Sequence, residues 1–204
     1  MDLKSTYNRI ADDWFKDHKQ DTWWHEGTAR FTSLLPKGAS ILDIGCGAGV
    51  KSRYLSDKGF KVTGMDFSEK MIEIAKREVP NVDFVVGDIY ELDSYQNKFD
   101  AVFAQAVLLH IPKERVVEVL EKFKNKLKPN GVLYLAVKEV KVDGTDNEII
   151  KENDYGYEYE RFFSYFTLIE TKEYINRLGL KLVWEKVANS GKRNWIQVIV
   201  QNVG

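Results

Sequence analysis

Seven residues, Asp43-Ile44-Gly45-Cys46-Gly47-Ala48-Gly49, constrain the fold more than any others in the chain. They follow a short apolar run, Ser40–Ile44, and precede an amphipathic run, Val50–Lys58, closed by Gly59. A strand that hands over to a helix through glycines opens a parallel sheet covered by helices. Glycine lets the backbone turn sharply there and lets a ligand approach main-chain groups at the helix N-terminus. The following residues keep the alternation. Lys61–Asp66 reads as a second strand, Ser68–Val79 as a helix with Ser68 as N-cap and Pro80 beyond its end, and Val82–Val86 as a third strand. Phe99–Ala104 reads as a fourth strand, Pro112–Leu127 as a helix stopped by Pro129-Asn130-Gly131, and Val132–Val137 as a fifth strand buried on both faces. Between Glu139 and Glu160 the chain is acidic and tyrosine-rich, too charged for core and too aromatic for a plain linker. Thr167-Leu168-Ile169-Glu170 then spells a capping box opening a helix that ends near Gly179. Leu180–Val187 and Trp195–Gln201 alternate as a hairpin around Asn189-Ser190-Gly191.

Composition narrows the function classes. At 204 residues the chain is one domain's worth, and 44% hydrophobic content is ample for a core. Thirty Lys+Arg against 31 Asp+Glu leave a net charge of -1, which disfavours a protein whose main task is gripping nucleic acid. A single cysteine, Cys46, and three histidines, His18, His25 and His110, without ligand spacing predict no disulfide and no metal site. No apolar run reaches membrane-span length and the N-terminus is charged and amphipathic, so the expectation is a soluble cytoplasmic protein without a membrane partner. The sequence carries no signal for oligomeric state.

Three ligands could use the glycine turn. A dinucleotide fingerprint needs a third small residue where Val50 stands. A phosphate-binding loop nearly fits Gly45 through Lys51-Ser52, but Val50 again occupies its required glycine. The third reading accounts for every residue. Ile41-Leu42-Asp43-Ile44-Gly45-Cys46-Gly47-Ala48-Gly49 resembles motif I of the class I S-adenosylmethionine-dependent methyltransferases. The resemblance continues in register through Asp66 in Gly-Met-Asp-Phe-Ser, Asp88 in Val-Val-Gly-Asp-Ile, the run Phe99–Ile111, and Leu127–Glu139. It covers roughly Tyr7 to the C-terminus.

That resemblance implies an α/β, Rossmann-like three-layer sandwich with a seven-stranded, mostly parallel sheet of order 3-2-1-4-5-7-6 and an antiparallel C-terminal strand. It divides a single domain, 1–204, into an N-terminal helical cap (1–39), a cofactor-binding core (40–139), an acceptor-side insertion (140–166), and a helix with terminal hairpin (167–204). The implied cofactor is S-adenosylmethionine, leaving as S-adenosylhomocysteine. Its amino acid moiety is expected against Gly45, Cys46 and Gly47, with Asp43 acting indirectly. Its ribose is expected on Asp66 beside Phe67, and its adenine near Asp88, Ile89 and Met71. Gln105 and Ala106 follow the fourth strand, facing the reacting centre, with His110 as a candidate base. Tyr7 and Trp14 belong to the cap, Tyr7 as a contact to the cofactor carboxylate.

A second aromatic cluster, Tyr155, Tyr157, Tyr159, Phe162, Phe163, Tyr165 and Phe166, with Arg161 beside it, reads as a lid over the acceptor. Seven acidic residues in Asp143–Glu160 make an anionic, phosphate-bearing acceptor less attractive. The fourth strand lacks the Asn/Asp-Pro-Pro-Tyr loop of amino-nitrogen methyltransferases acting on adenine or glutamine, no Pro-Cys pair supplies a nucleophile, and Gln105 stands where catechol-type enzymes carry a metal-binding carboxylate. The expected activity is therefore methyl transfer to an O, N or C nucleophile of a small, aromatic or apolar molecule. A tRNA or protein methyltransferase and a non-catalytic cofactor-binding module are the competing readings.

Overall fold

The computed structural model describes residues 2–191 and 193–204. Helices α1 (Leu3–His18) and α2 (His25–Thr32) precede the first strand. Then come β1 (Ser40–Ile44), α3 (Val50–Asp57), β2 (Lys61–Asp66), α4 (Glu69–Glu78), β3 (Asp83–Val86), β4 (Phe99–Gln105), α5 (Val116–Asn125) and β5 (Leu127–Lys138). A separate hairpin, β6 (Asn147–Glu152) and β7 (Tyr159–Ser164), leads to α6 (Leu168–Arg177), β8 (Leu180–Asn189) and β9 (Asn194–Asn202).

The main sheet has seven strands in the order β3-β2-β1-β4-β5-β9-β8. Strands β1 to β5 pair in parallel, and β9 runs antiparallel to both neighbours. With the last two strands counted as sixth and seventh, this is the predicted topology. Side-chain alternation sorts the core into two layers. Leu42, Ile44, Val102, Leu133, Leu135 and Val198 pack under α5 and α6 through Val119, Phe123 and Ile175. Ile41, Ala101, Phe103, Tyr134 and Ile199 face Phe31 of α2, Leu55 of α3 and Ile72 of α4. The helices begin where their caps dictate: Ser68 Oγ accepts from Met71 N–H at 3.1 Å, and Thr167 and Glu170 close a reciprocal box.

Two elements differ from the sequence reading. The helix expected over Pro112–Leu127 is shorter, because Pro112 is extended, Lys113–Arg115 form a 3-10 turn and α5 ends at Asn125. Leu127 already pairs with Phe99, so Pro129-Asn130-Gly131 is an excursion inside β5 and not a stop before it. The acidic stretch expected as an irregular insertion is also ordered. Its hairpin buries Tyr159 and Phe163, and the chain just after it buries Tyr165 and Phe166. The hairpin is tied to the end of β5, where Phe166 N–H donates to Lys138 O and Val140 N–H to Phe166 O, both at 2.9 Å. Charge along this stretch hid a strand whose aromatic residues carry the burial.

Candidate active site

A cavity of about 480 Å³ opens at the carboxyl ends of the parallel strands, under α1 and β7, within the usual size range of small-ligand sites. All fourteen residues expected at the cofactor or as the base line it: Tyr7, Trp14, Asp43, Gly45, Cys46, Gly47, Asp66, Phe67, Met71, Asp88, Ile89, Gln105, Ala106 and His110; of the aromatic cluster expected over the acceptor, Phe163 does, with Arg161.

The glycine turn forms its first wall. Gly45 has φ +67°, and a Cβ built there would stand 2.5 Å from Val107 Cγ2, so backbone and neighbour both require glycine. The turn spends its own donors. Gly45 and Cys46 N–H groups donate to Met65 O at 2.7 and 3.0 Å, and Gly47 N–H to Asp66 Oδ2 at 2.9 Å. What Gly45 and Gly47 can still offer a ligand is carbonyl oxygen, an acceptor suited to an ammonium group and unsuited to phosphate. The phosphate-loop and dinucleotide readings lose the donors of Gly45, Cys46 and Gly47 on that count. Trp14 covers the turn, its ring 3.6 Å from the position of a Cβ on Gly47.

Three carboxylates stand at successive strand ends. Asp43 is buried and accepts from Ser52 Oγ at 2.6 Å, and burial pushes its pKa up to about 7. It holds the start of α3 against β1. Asp66 accepts from Gly47 N–H and, through Oδ1, from Ser68 N–H at 2.9 Å, while burial raises it to about 6. A carboxylate oxygen takes two hydrogen bonds, so Asp66 retains acceptor capacity toward the cavity. Asp88 is exposed and accepts from Tyr90 N–H at 2.9 Å, capping the 3-10 turn Ile89–Ser94. Met71 is buried behind them.

At the end of β4 the chain is strained and under-satisfied. Ala106 has φ +60°, an uncommon conformation for a residue with a Cβ. Gln105 is 8% exposed and its Oε1 has no hydrogen-bond partner among the described residues. A buried polar atom left unpaired costs about 1–3 kcal/mol, so this amide is set for a ligand.

The roof joins distant parts of the chain. Tyr7 Oη lies 2.7 Å from His110 Nε2, and His110 Nδ1 lies 2.8 Å from Phe162 O. A carbonyl only accepts, so Nδ1 carries the proton and Tyr7 donates to Nε2. Burial holds the imidazole neutral, its pKa lowered to about 3. His110 is thus a histidine with both nitrogens engaged, where the sequence displayed no partner for it. Thr6 Oγ1 donates to Glu160 O at 3.2 Å and Tyr157 Oη to Asp13 Oδ2 at 3.1 Å, fastening α1 to the hairpin. Arg161 lines the cavity and is clamped by Glu152 through two bonds of 2.6 Å.

The opposite wall contains residues that sequence reasoning did not assign: Lys138, Trp23, Trp195 and Phe103. Lys138 and Trp195 face each other across the β5–β9 pair, and Trp23 stacks on Trp195 at 4.2 Å between ring centroids. The signal available for Lys138 was its place at the carboxyl end of a parallel strand, where such folds put ligand contacts. Among the described residues no group of His, Cys, Asp or Glu is placed to hold a metal ion, and no helix is long and apolar enough to cross a membrane.

Comparison with known proteins agrees with this architecture. Residues 41–131 match the family model described as methyltransferase domain. The chain is 36% identical over 101 residues to demethylmenaquinone methyltransferase of Renibacterium salmoninarum, covering 48% of this chain and 41% of that protein. It is 29% identical over 139 residues to ubiquinone biosynthesis O-methyltransferase of Coxiella burnetii, covering 60% and 58%. The chain thus spans about half the length of these relatives. In three dimensions it resembles the 1,6-didemethyltoxoflavin-N1-methyltransferase of Burkholderia thailandensis, crystallised with bound 1,6-didemethyltoxoflavin and S-adenosylhomocysteine, with a TM-score of 0.79 at 20% identity over 99% of this chain and 88% of that one. The protein has the Rossmann-like methyltransferase fold. By sequence, the segment 41–131, less than half of the chain, is similar to the methyltransferase-domain family.

Proposed function

We propose that this protein transfers a methyl group from S-adenosylmethionine to a small molecule bound in the same cavity, releasing S-adenosylhomocysteine. The observation that carries the reading is the glycine turn with its N–H groups spent, standing beside Asp66 at the next strand end. Together they offer acceptors to a ligand rich in donors, ammonium and ribose hydroxyls. The unpaired Gln105 amide fits the same ligand, because β4 lies between β1 and β5 and so between the turn and the aromatic wall.

Each residue then has a role. Gly45, Cys46 and Gly47 seat the amino acid portion, with Asp43 fixing the turn from behind through Ser52. Asp66, beside Phe67, accepts from the ribose; Asp88, Ile89 and Met71 bound the adenine; Gln105 and Ala106 border the reacting centre. Tyr7 and Trp14 close the cap over it. The cofactor, when bound, supplies a methyl group already activated on sulfonium sulfur. The protein's work is to align the nucleophile and exclude water, and a base is needed only for acceptors that must lose a proton. For those acceptors His110 is the residue placed to take the proton, once the Tyr7 hydroxyl turns away from Nε2 and the bound ligands offset the burial that lowers its pKa to about 3.

The acceptor half favours turnover over a retained binding module, since it is open and lined by Trp23, Phe103, Phe163 and Trp195. Its dimensions favour a small molecule over a macromolecule. The demethylmenaquinone, ubiquinone biosynthesis and 1,6-didemethyltoxoflavin methyltransferases that the chain resembles support the same class of acceptor. Calorimetric titration with S-adenosylmethionine, S-adenosylhomocysteine, NADH and magnesium-ATP tests the cofactor directly. Binding of the first two alone is expected; binding of NADH or ATP in their place overturns the assignment.

A further inference from the structure

We propose that Lys138 is the counter-charge for an anionic oxygen, a carboxylate or an ionised hydroxyl, on a planar aromatic acceptor held between Phe163 and the Trp23–Trp195 pair. The inference rests on the methyltransferase reading for calling the ligand an acceptor, and on the cavity itself for the ligand's chemistry.

Alternation along β5 places Tyr134, Ala136 and Lys138 on one face, and only Lys138 reaches beyond the core into the cavity. Its ammonium lies 3.8 Å from the centroid of Phe163 and 6.0 Å from that of Trp195. Among the described residues no carboxylate comes within 4.0 Å of it, and nothing accepts a hydrogen bond from it. Other cations of the lining are provided for. Lys4 pairs with Glu69 and Arg161 with Glu152, while Lys51 stands in the field of Asp43 and Asp21. The charges facing Lys138 are Arg161 and Arg193, which repel it, and Glu152 and Glu148, which are engaged by Arg161 and by Tyr165 at 2.7 Å. Burial, then these like charges, lower the Lys138 pKa to about 8.

A half-buried ammonium over an aromatic face is partly compensated by the ring, but a ring offers no hydrogen-bond acceptor of the strength of an anion. The surrounding surface selects what can carry that anion. Trp195, Trp23, Phe103, Phe163 and Leu109 present rings and methyl groups, which receive a flat apolar body. The seven acidic residues of Asp143–Glu160 do not oppose it, because none of them lines the cavity. The two that face Lys138, Glu152 and Glu148, are engaged by Arg161 and Tyr165, so the expectation that this stretch repels an anionic acceptor does not carry over to the cavity.

The test titrates ring compounds that differ only in charge, with and without saturating S-adenosylhomocysteine, following tryptophan fluorescence: 4-nitrobenzoate against 4-nitrobenzamide, and 4-nitrophenolate against 4-nitroaniline. The carboxylate and phenolate arms distinguish the two sources of the anionic oxygen. At least one anion is expected to bind about tenfold or more tighter than its neutral partner, the scale of a hydrogen bond to a charged group. Lys138→Met is expected to reduce that preference to about twofold or less, Lys138→Arg to retain most of it, and S-adenosylhomocysteine affinity to stay unchanged in both, which also certifies their folding. Raising the pH from about 7 to about 9.5 discharges Lys138, so the carboxylate's advantage is expected to decline in the wild type and to stay flat in Lys138→Met. Equal binding of anion and neutral partner, no binding of either anion, or a preference that survives Lys138→Met overturns the proposal. A protein that binds the ring anions and not S-adenosylhomocysteine would instead strike the cofactor reading.

Discussion

On the side of β1 and β2 the cavity wall is backbone: a turn with Gly45 at φ +67°, its N–H groups bonded to Met65 O and Asp66, and carboxylates at strand ends. On the side of β5, β7 and β9 the wall is side chain: Lys138, Phe163, Trp195 and the clamped Arg161, roofed by a helix from the opposite end of the chain. A wall of backbone admits few substitutions, because its shape depends on φ angles and close approaches. A wall of side chains keeps its frame while its contents change, which suits the half proposed to match an acceptor.

The difference can be broken from either side, and the largest effect is expected in the side-chain half. Arg161→Met leaves Glu152 nearly buried without its partner, and the cost expected is about 3 kcal/mol of stability by denaturant unfolding. Replacing both partners with apolar residues should recover much of it. Loss of less than about 0.5 kcal/mol in the single variant would mean the hairpin does not depend on this pair.

In the backbone half, Gly45→Val forces a β-branched residue to positive φ and against Val107. About 2 kcal/mol of strain is expected, read as at least a thirtyfold loss in S-adenosylhomocysteine affinity. Asp66→Ala removes the proposed ribose acceptor and strands the Gly47 N–H, for a loss of about 1–3 kcal/mol in the same titration. Because burial raises Asp66 to about 6, wild-type affinity should climb as the pH rises through that value, and Asp66→Asn should be flat. Stability runs the other way. A carboxyl whose pKa rises on folding contributes fully below its unfolded value and loses that contribution as pH rises through its folded one, so Asp66→Asn should gain on the wild type between about pH 4 and pH 7. The smallest effect expected is that of Tyr7→Phe, which leaves His110 Nε2 without its donor: about 1 kcal/mol in stability and faster amide exchange along α1.

How much was legible in the sequence follows the same division. The glycine turn, Asp66, Asp88 and the strand order were readable because backbone demands fix residue type at fixed spacing, as Gly45 and Ser68 illustrate. The hairpin was not, since Glu148, Glu152 and Glu160 obscured the buried Tyr159 and Phe163 on the same strands. The partners of His110 were not either: Tyr7 is 103 residues away, and no local pattern encodes such a pairing. Lys138 stood at a strand end, but a lysine there is usually solvated, and only the packing of Phe163 and Trp195 around it makes it a site.

A crystal structure of the protein with S-adenosylhomocysteine tests the central claim most directly. The account predicts density with the amino acid portion along Gly45–Gly47, ribose hydroxyls within hydrogen-bond distance of Asp66 and the Gln105 amide newly paired, while the space before Lys138 and Trp195 stays free. Density that bypasses Asp66, or that fills the Lys138 end with the cofactor itself, would contradict it.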